Sequence, residues 1–576
     1  MISFVSFMAG SKFKLSKVDA ASSNKCSGFA NQNIYAVPTA SNKTFCPDTE
    51  SKVIYVSTSG NDNNDGLSPN SPVKSLPHAV KLTRRQSPDW IVLKRGDTFN
   101  DSFGTLKYRQ GEQPLGGKHD RPLVITSYGK SQKRPVIRPK DSGLQLFGPF
   151  GNITISGLEF RSKPGTGGTG IRTLGEGTNY VIHNNYISGF QIAINVQGDA
   201  DKNKWFSKVI IKDNILVDSA SSGKGHSQAV FASAVKQLAI EGNVIDTCGW
   251  YKDRNGNLEN SRTATIFNHC LYLQGEGYPA TVKNNIITRA SSHGLQARSG
   301  AFVENNLFAR NPIQFFLSSK GVGGNANQQR MLARNNIVLE GNDLNDELPR
   351  GVGIEHNNAY SSLFDNNIVA HLLSKTKSNN KAISLVCRTD NIHTSITGQC
   401  KSVFKNNLIF NWGNKLNGDS IFAQNFNSNL AINHSFLANK FVAVADGIVF
   451  VNFRKENMEN KYIFSKNLYV SKDLNNKKLF KLSNPHNLAF SNWEQNVEPS
   501  AKGGQNLGFV DSCRTMATYY DDRFAGDLED NCKIMHSNKL FRQFIELAKQ
   551  KNSLIPGSGV NINSFNKYIR DGFAKP

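Results

Sequence analysis

The chain has 576 residues, with 68 Lys plus Arg against 45 Asp plus Glu and a formal net charge of +23. A single compact core rarely grows that long, whereas stacked repeats escape the limit because each unit buries its face only against its neighbours. The charge suits an anionic partner. The sequence offers no recognition helix, zinc finger or RNA-binding signature, and no run of about 18 apolar residues that would span a membrane.

Residues 1–52 read as a polar leader without periodicity, expected to pack on the body as an arm. Its opening MISFVSFMAG is apolar but short, with no preceding Lys or Arg, so it fails as a full secretory signal. The eight cysteines fall into sequence-local pairs: Cys26 and Cys46, Cys248 and Cys270, Cys387 and Cys400, Cys513 and Cys532. None has CxxC spacing, so a zinc site is not expected. The even, closely spaced set is compatible with disulfides and an oxidising compartment. Unpaired buried thiols are the alternative, since connectivity cannot be read from sequence.

A repeat domain is expected over 53–512. It opens with VIYVS, a strand by its β-branched and aromatic content. The turn cluster GNDNNDG follows. Its acids, Asp62 and Asp65, could hold calcium through carboxylate and carbonyl oxygens, although a solvated Asn/Asp turn is the simpler reading. Ser75–Arg85 is the one early amphipathic helix, with Leu76, Ala79, Val80 and Leu82 on one side. This strand, G-x-D-x-x-D-G loop and short helix, with the WIVLKRGDTF that follows, resemble the start of many secreted β-helix carbohydrate-active proteins. The resemblance implies that the helix caps the first coil.

From Leu123 the repeat is explicit: LVITSYG, ITISGLEF, YVIHNNYISGF, KVIIKDNILVDS, LAIEGNVIDT, TVKNNIITRA, FVENNLFARN, LARNNIVLEG and VFKNNLIFNW. An Asn precedes an aliphatic pair at Asn185, Asn214, Asn243, Asn285, Asn306, Asn336 and Asn407, with a shortest interval of 21 residues. Period and motif match a solenoid. Stacked Asn side chains at a corner can bond one another and satisfy turn backbone groups, so the column is read as structural. The aliphatics are expected to fill the interior, with the strands buried on one face only. The pattern loosens after residue 340, where DNNIVAHLL, AISLV and GIVFVNF look like further coils. KLFRQFIELAKQ and NINSFNKYIRDGF have helical spacing, and residues 513–576 are expected to form a helical cap over the C-terminal end. The fold class is all-β, a right-handed parallel β-helix.

Stacking AINVQ, AVFAS, CLYLQ, GLQAR and IQFFL aligns Ile194, Val230, Leu271, Leu295 and Ile313 as inward residues. One outward column is then Asn195, Phe231, Tyr272, Gln296 and Gln314. The next is Gln197, Ser233, Gln274, Arg298 and Phe316. Just before the strands sit Gln228, His269 and His293, with His226 nearby. Rings that cover sugar faces, and amides and Arg that bond hydroxyls and carboxylates, make such a face fit for glycans. Strict alternation, however, turns His269 and His293 inward. They must therefore sit at a corner to take part.

Over roughly residues 53–510 the repeat pattern resembles the right-handed β-helix polysaccharide lyases and related secreted proteins. Hydrolases, epimerases and tailspikes share that fold. The resemblance implies β-elimination of a uronic acid from an acidic polysaccharide, in a secreted or periplasmic protein without a nucleic-acid partner. The reaction needs a cation on the carboxylate, a base for the C5 proton and an acid for the leaving oxygen. Arg298 suits the first role, with Arg289 as helper. His269 or His293 suits the base. Tyr272 suits the acid, or the base if Arg depresses its pKa. Asn195, His226, Gln228, Gln274, Gln296 and Gln314 are expected to bind substrate. Some lyases of this fold use calcium; the outward columns lack a compact Asp/Glu cluster, so no metal ligand is expected. Hydrolysis instead needs two carboxylates about 5–10 Å apart. Among Asp218, Asp246, Glu276 and Glu304, the pair Asp218 and Asp246 could stack. A non-catalytic carbohydrate-binding or tailspike-like β-helix is the third reading.

Overall fold

The computed structural model describes residues 25–221, 223, 225–252, 258–259, 264–318, 330–344, 350–357, 361–375, 380–387, 399–415, 417–425, 431–454, 461–482, 487–524, 531–550 and 560–574. The opening MISFVSFMAG lies outside them.

Each coil of the repeat contributes three short strands. His269–Leu273, Ala280–Lys283 and Ile286–Ala290 form one coil. His293–Ala297, Ala301–Glu304 and Leu307–Ala309 form the next. The two stack in parallel, pairing His269 with His293, Val282 with Val303 and Ile286 with Leu307. The third strands of successive coils build a 14-stranded sheet. The chain is thus the expected parallel β-helix.

The Asn motif explains the corner before the third strand. Asn185, Asn214, Asn243, Asn285, Asn306, Asn336, Asn367, Asn407, Asn439 and Asn467 form one buried ladder. The Asn285 backbone and side-chain amides both donate to Asn306 Oδ1, at 2.9 and 3.0 Å. Asn285 Nδ2 also donates to the Ile240 carbonyl of the coil below. Glu498 ends the ladder by accepting both amides of Asn467. The residue before each ladder Asn turns the corner at positive φ, as at Asn284 (57°), Asn305 (53°) and Asn335 (57°). Asn tolerates that conformation better than most residues, which accounts for the Asn-Asn pair. Asn306→Ala orphans the buried backbone amide of Asn285 and takes one partner from its side-chain amide and from the Val282 carbonyl. At about 1–3 kcal/mol for each buried group left unpaired, thermal melting should fall clearly below that of an exposed Asn→Ala control such as Asn496→Ala.

The aliphatic pair does not fill the interior alone, as the sequence suggested. In Leu307–Ala309 only Phe308 joins the interior core, while Leu307 and Ala309 point out. The middle strands of the 14-stranded sheet are therefore buried on both faces, which is why they read as continuous apolar runs. Its outer face is covered by C-terminal helices. Among the described residues the helices are α1 (Leu76–Lys81), α2 (Phe490–Asn496), α3 (Met516–Phe524), α4 (Asn531–Ile534), α5 (Asn538–Gln550) and α6 (Ile562–Gly572), of which α3, α5 and α6 contribute to that cover. Phe541, Phe544, Ile545, Phe565 and Ile569 of α5 and α6 pack with Leu307, Ile337, Ile368 and Leu408 of the sheet. The described helices after residue 513 thus lie as a strap along the side of the β-helix and not over its end. The end is covered by α2, whose Trp493 stacks on Phe480 at 4.3 Å.

At the other end α1 is shorter than the expected 75–85 span, with Ser75 as its N-cap. Asp62 accepts from the backbone amides of Lys74 and Ser75 and from the Ser75 hydroxyl, and Asp65 accepts from Leu67 N. Their carboxylates organise the turn and the cap. In residues 25–52, Cys26, Ile34, Val37 and Phe45 pack on Tyr55, Trp90 and Val92; residues 1–24 of the proposed arm lie outside the described residues. All four sequence-local cysteine pairs are disulfides.

Candidate active site

The first strands of the coils present the candidate site. The sequence expectation that strict alternation buries the two histidines fails for a local reason. Cys270 and Leu271 are consecutive, and both point into the core. The same holds for Ala193 and Ile194 and for Ala229 and Val230. Each strand thus begins at a corner, and the residue before the inward pair is thrown to the outside. His269 is 4% and His293 8% exposed, yet both line an outer cleft of about 570 Å³.

The register corrects the stack by two residues at its last strand. Leu295 pairs with Phe315, not Ile313, and Gln296 pairs with Phe316. Gln314 is fully buried, accepts from Asn311 Nδ2 and donates to the Leu339 carbonyl. It is a structural residue and not a substrate ligand. The outer column therefore runs Asn195, Phe231, Tyr272, Gln296, Phe316, Glu355, Ser384 and Phe422.

Six of the expected residues meet in the cleft: His226, His269, Tyr272, His293, Gln296 and Arg298. The His269 ring lies 4.8 Å from His293 and 5.0 Å from Tyr272, centroid to centroid. The Arg298 guanidinium sits 5.5 Å from the Tyr272 ring centre. His293 Nδ1 is 2.8 Å from the Ser292 hydroxyl. His269 Nδ1 is buried and has no hydrogen-bond partner among the described residues. On the rim, His226 stacks on exposed Phe267 at 5.2 Å. Asn195, Gln228 and Gln274 lie outside the cleft lining.

Two expectations fail outright. Arg289 lies on the third strand of its coil, where it bonds Asp246 through Nε (2.8 Å) and Nη2 (2.5 Å). It cannot assist Arg298. Asp246 is fully buried and also accepts from the Thr288 hydroxyl. It pairs in register with Val217, so Asp218 and Asp246 do not stack as a hydrolytic pair. Glu276 accepts from Ser233, and Glu304 pairs with Arg334. Sequence reasoning missed Arg350, Glu355, Lys381, Ser384, Phe422 and Gln424, which continue the cleft. From His269–Leu273 to Gly418–Asn425 the cleft crosses six stacked strands, about 24 Å at roughly 4.8 Å per step.

The electrostatics are one-sided. Among the described residues three cations, Arg298, Arg350 and Lys381, line the cleft with one carboxylate, Glu355. Burial first, then the charges of Arg350 and Arg298, push His293 down to about 3. Burial, then His293, Arg298 and His226, push His269 well below the usual histidine range. Both rings are neutral at pH 7, and each can accept a proton.

Burial also depresses His356, to about 3, and His371, to about 4, away from the cleft. The unfolded chain binds protons that these native rings refuse, so stability falls as pH drops from about 6.5 towards 4. Each histidine contributes a slope of up to about 1.4 kcal/mol per pH unit over that window. His356→Gln should flatten the pH dependence of thermal melting between pH 6.5 and 4. An unchanged slope would contradict the burial of a neutral ring there.

No protein-family model matches the chain, and no curated protein does. Among solved structures, a rhamnogalacturonan lyase is 13% identical with a TM-score of 0.34, over 72% of this chain and 87% of that one. Pectate lyase Pel9A is 14% identical with a TM-score of 0.31, over 86% and 89%. A GH136 lacto-N-biosidase from Eubacterium ramulus is 12% identical with a TM-score of 0.30, over 79% and 68%. All three TM-scores are below 0.5, and the fold assignment rests on the strand pairing of the chain itself. Among the described residues no helix is long and apolar enough to cross a membrane.

Proposed function

We propose that the cleft cleaves an acidic, uronate-containing polysaccharide by β-elimination. The observation that carries this reading is the lining itself: among the described residues, Arg298, Arg350 and Lys381 against one carboxylate, with Tyr272 and two neutral histidines beside Arg298. Two-carboxylate hydrolysis calls for the reverse balance.

In this reading Arg298 holds the uronate carboxylate and stabilises the enolate-like intermediate. His269 takes the C5 proton, and the place of its ring in the cleft beside Tyr272 and His293 is the basis of that assignment. The carboxylate of a bound uronate raises the basicity of the ring beside it. The electron pair of the C5–H bond then forms the C4–C5 double bond as the C4–O bond breaks, and Tyr272 gives its proton to the leaving oxygen. His293, tied to Ser292, fixes the His269 ring from its other side. Phe267 and His226 offer a rim on which a sugar face can rest. The four disulfides support a secreted or periplasmic location.

The test is incubation with a panel of acidic polysaccharides, read by near-ultraviolet absorbance and by reducing ends. Elimination raises both, because the new double bond is conjugated to the carboxylate. New reducing ends without absorbance would replace elimination by hydrolysis, and no shortening of any glycan would leave a binding protein.

A further inference from the structure

The cleft does not end at the His269–Arg298 cluster. Three steps along the β-helix from the His293–Ala297 strand lies Lys381–Cys387, about 14 Å away at roughly 4.8 Å per step. One sugar ring cannot touch both strands. On this strand the Lys381 ammonium lies 3.6 Å from the ring centre of Phe422, and the Arg454 guanidinium lies 5.4 Å from the same ring. Arg350 stands between the two clusters: its charge acts on both His293 and Lys381.

Among the described residues the local balance is positive. Arg350, Lys381, Arg454 and Lys481 face Glu355 and Asp419. Asp419, the strand neighbour of Lys381, is occupied by two contacts from Asn452 Nδ2 at 3.1 Å. Burial disfavours the charge on Lys381 first, and Arg454 and Arg350 add to that, while Asp419 and Glu355 oppose it only in part. A half-buried cation in such a cluster gains from a further anion. Phe422 supplies an apolar ring on which a sugar face can rest while its acid group meets the cations.

We propose that Lys381 and Arg454, which flank Phe422, form with Arg350 of the same cleft a second acid-binding subsite that takes the carboxylate of a sugar several units from the one held by Arg298. The proposal rests on the reading of the cleft as a uronate site and narrows its substrate: a polyanion with acid groups repeated along the chain, bound over several sugars at once. A disaccharide reaches only one cluster.

The test uses Tyr272→Phe protein as the parent, so that bound glycan stays intact. Its affinity is measured by calorimetry for hexamers and dimers of galacturonate, guluronate, mannuronate and glucuronate, with cellohexaose as the neutral control. At least one hexauronate should bind, and adding Lys381→Ala with Arg454→Ala should weaken it at least tenfold. Dimer affinity should not change, and Lys381→Arg should keep the hexamer affinity. Arg454 is exposed, so Arg454→Ala alone gives a partial loss in a protein whose fold is not in question. Undiminished hexamer binding in the double variant overturns the subsite. Equal weakening of dimer and hexamer also overturns it, because Lys381 then belongs to the reacting centre. The absence of binding by every hexauronate overturns it as well. A hexamer that binds through Lys381 but is never cleaved by the unmodified protein refutes elimination and leaves the subsite standing.

Discussion

Arg298→Ala lowers kcat on a cleavable polyuronate by about 10²–10³-fold, the effect of removing one preorganised charge from a developing anion. The loss falls on kcat more than on KM, because the enolate-like charge exists only after the proton has left. Ground-state binding persists through Arg350 and Lys381, which line the same cleft. Tyr272→Phe is the companion variant. It keeps the ring that packs against Phe231 at 5.5 Å and His269 at 5.0 Å, and removes only the proton donor, so about 10²–10⁴-fold should be lost. Initial rates on one substrate, with melting curves as the folding control, measure both. Full activity in both variants would remove the site from this part of the cleft.

The largest structural effect is expected far from the cleft, at Glu340. This carboxylate is fully buried where α4 and α5 meet the 14-stranded sheet. It accepts from Arg310 Nε at 2.5 Å and from His536 Nδ1 at 2.9 Å. Burial alone would raise its pKa, yet Arg310 and His536 hold it below the usual range. Arg310 in turn lies 3.9 Å from the Phe541 ring and bonds Asn538 at 2.6 Å. Glu340→Ala leaves the Arg310 charge buried without its carboxylate, a loss of about 3–5 kcal/mol. Amide protons of α5 should then exchange much faster, as the strap loosens from the sheet. The added change Arg310→Met should restore much of the protection, because removing both charges is far less harmful than removing one. No gain from the second substitution would contradict the account of the pair.

The parts of the molecule that were legible in the sequence are those where identity recurs at a fixed place. A buried ladder needs Asn at every step, so Asn185 through Asn407 announce the coils without any alignment of loops. Asn439 and Asn467 belong to the same ladder but were hidden by looser flanking sequence, and Asn367 lies in DNNIVAHLL, which had been read as a coil but not placed in the Asn column. The amphipathic pattern of α5 was equally plain. Its docking place was not, because an apolar stripe does not say whether it covers an end or a side. The answer lay in Leu307, Ile337 and Leu408, outward aliphatics that had been read as interior.

The candidate site was legible in composition and only partly in geometry. Tyr272 and Arg298 were found because their coils are adjacent and short. His269 and His293 were ambiguous because alternation assumes a straight strand, whereas Cys270 and Leu271 both turn inward after the corner. Gln314 was misplaced when Ile313 was aligned with Leu295; the chain turns through Asn311 and Pro312 before that strand starts. Arg350, Lys381 and Phe422 went unseen because insertions between coils break the period; strand pairing places Lys381 in the column of His269 and His293, and Phe422 in that of Tyr272.

The central claim is elimination, and the most direct measurement is the mass of the products from one defined uronate oligosaccharide. Elimination predicts two fragments whose masses sum to that of the starting oligosaccharide, with the new non-reducing end lighter than a saturated one by one water. Fragments that together weigh one water more than the parent would show hydrolysis and contradict the account.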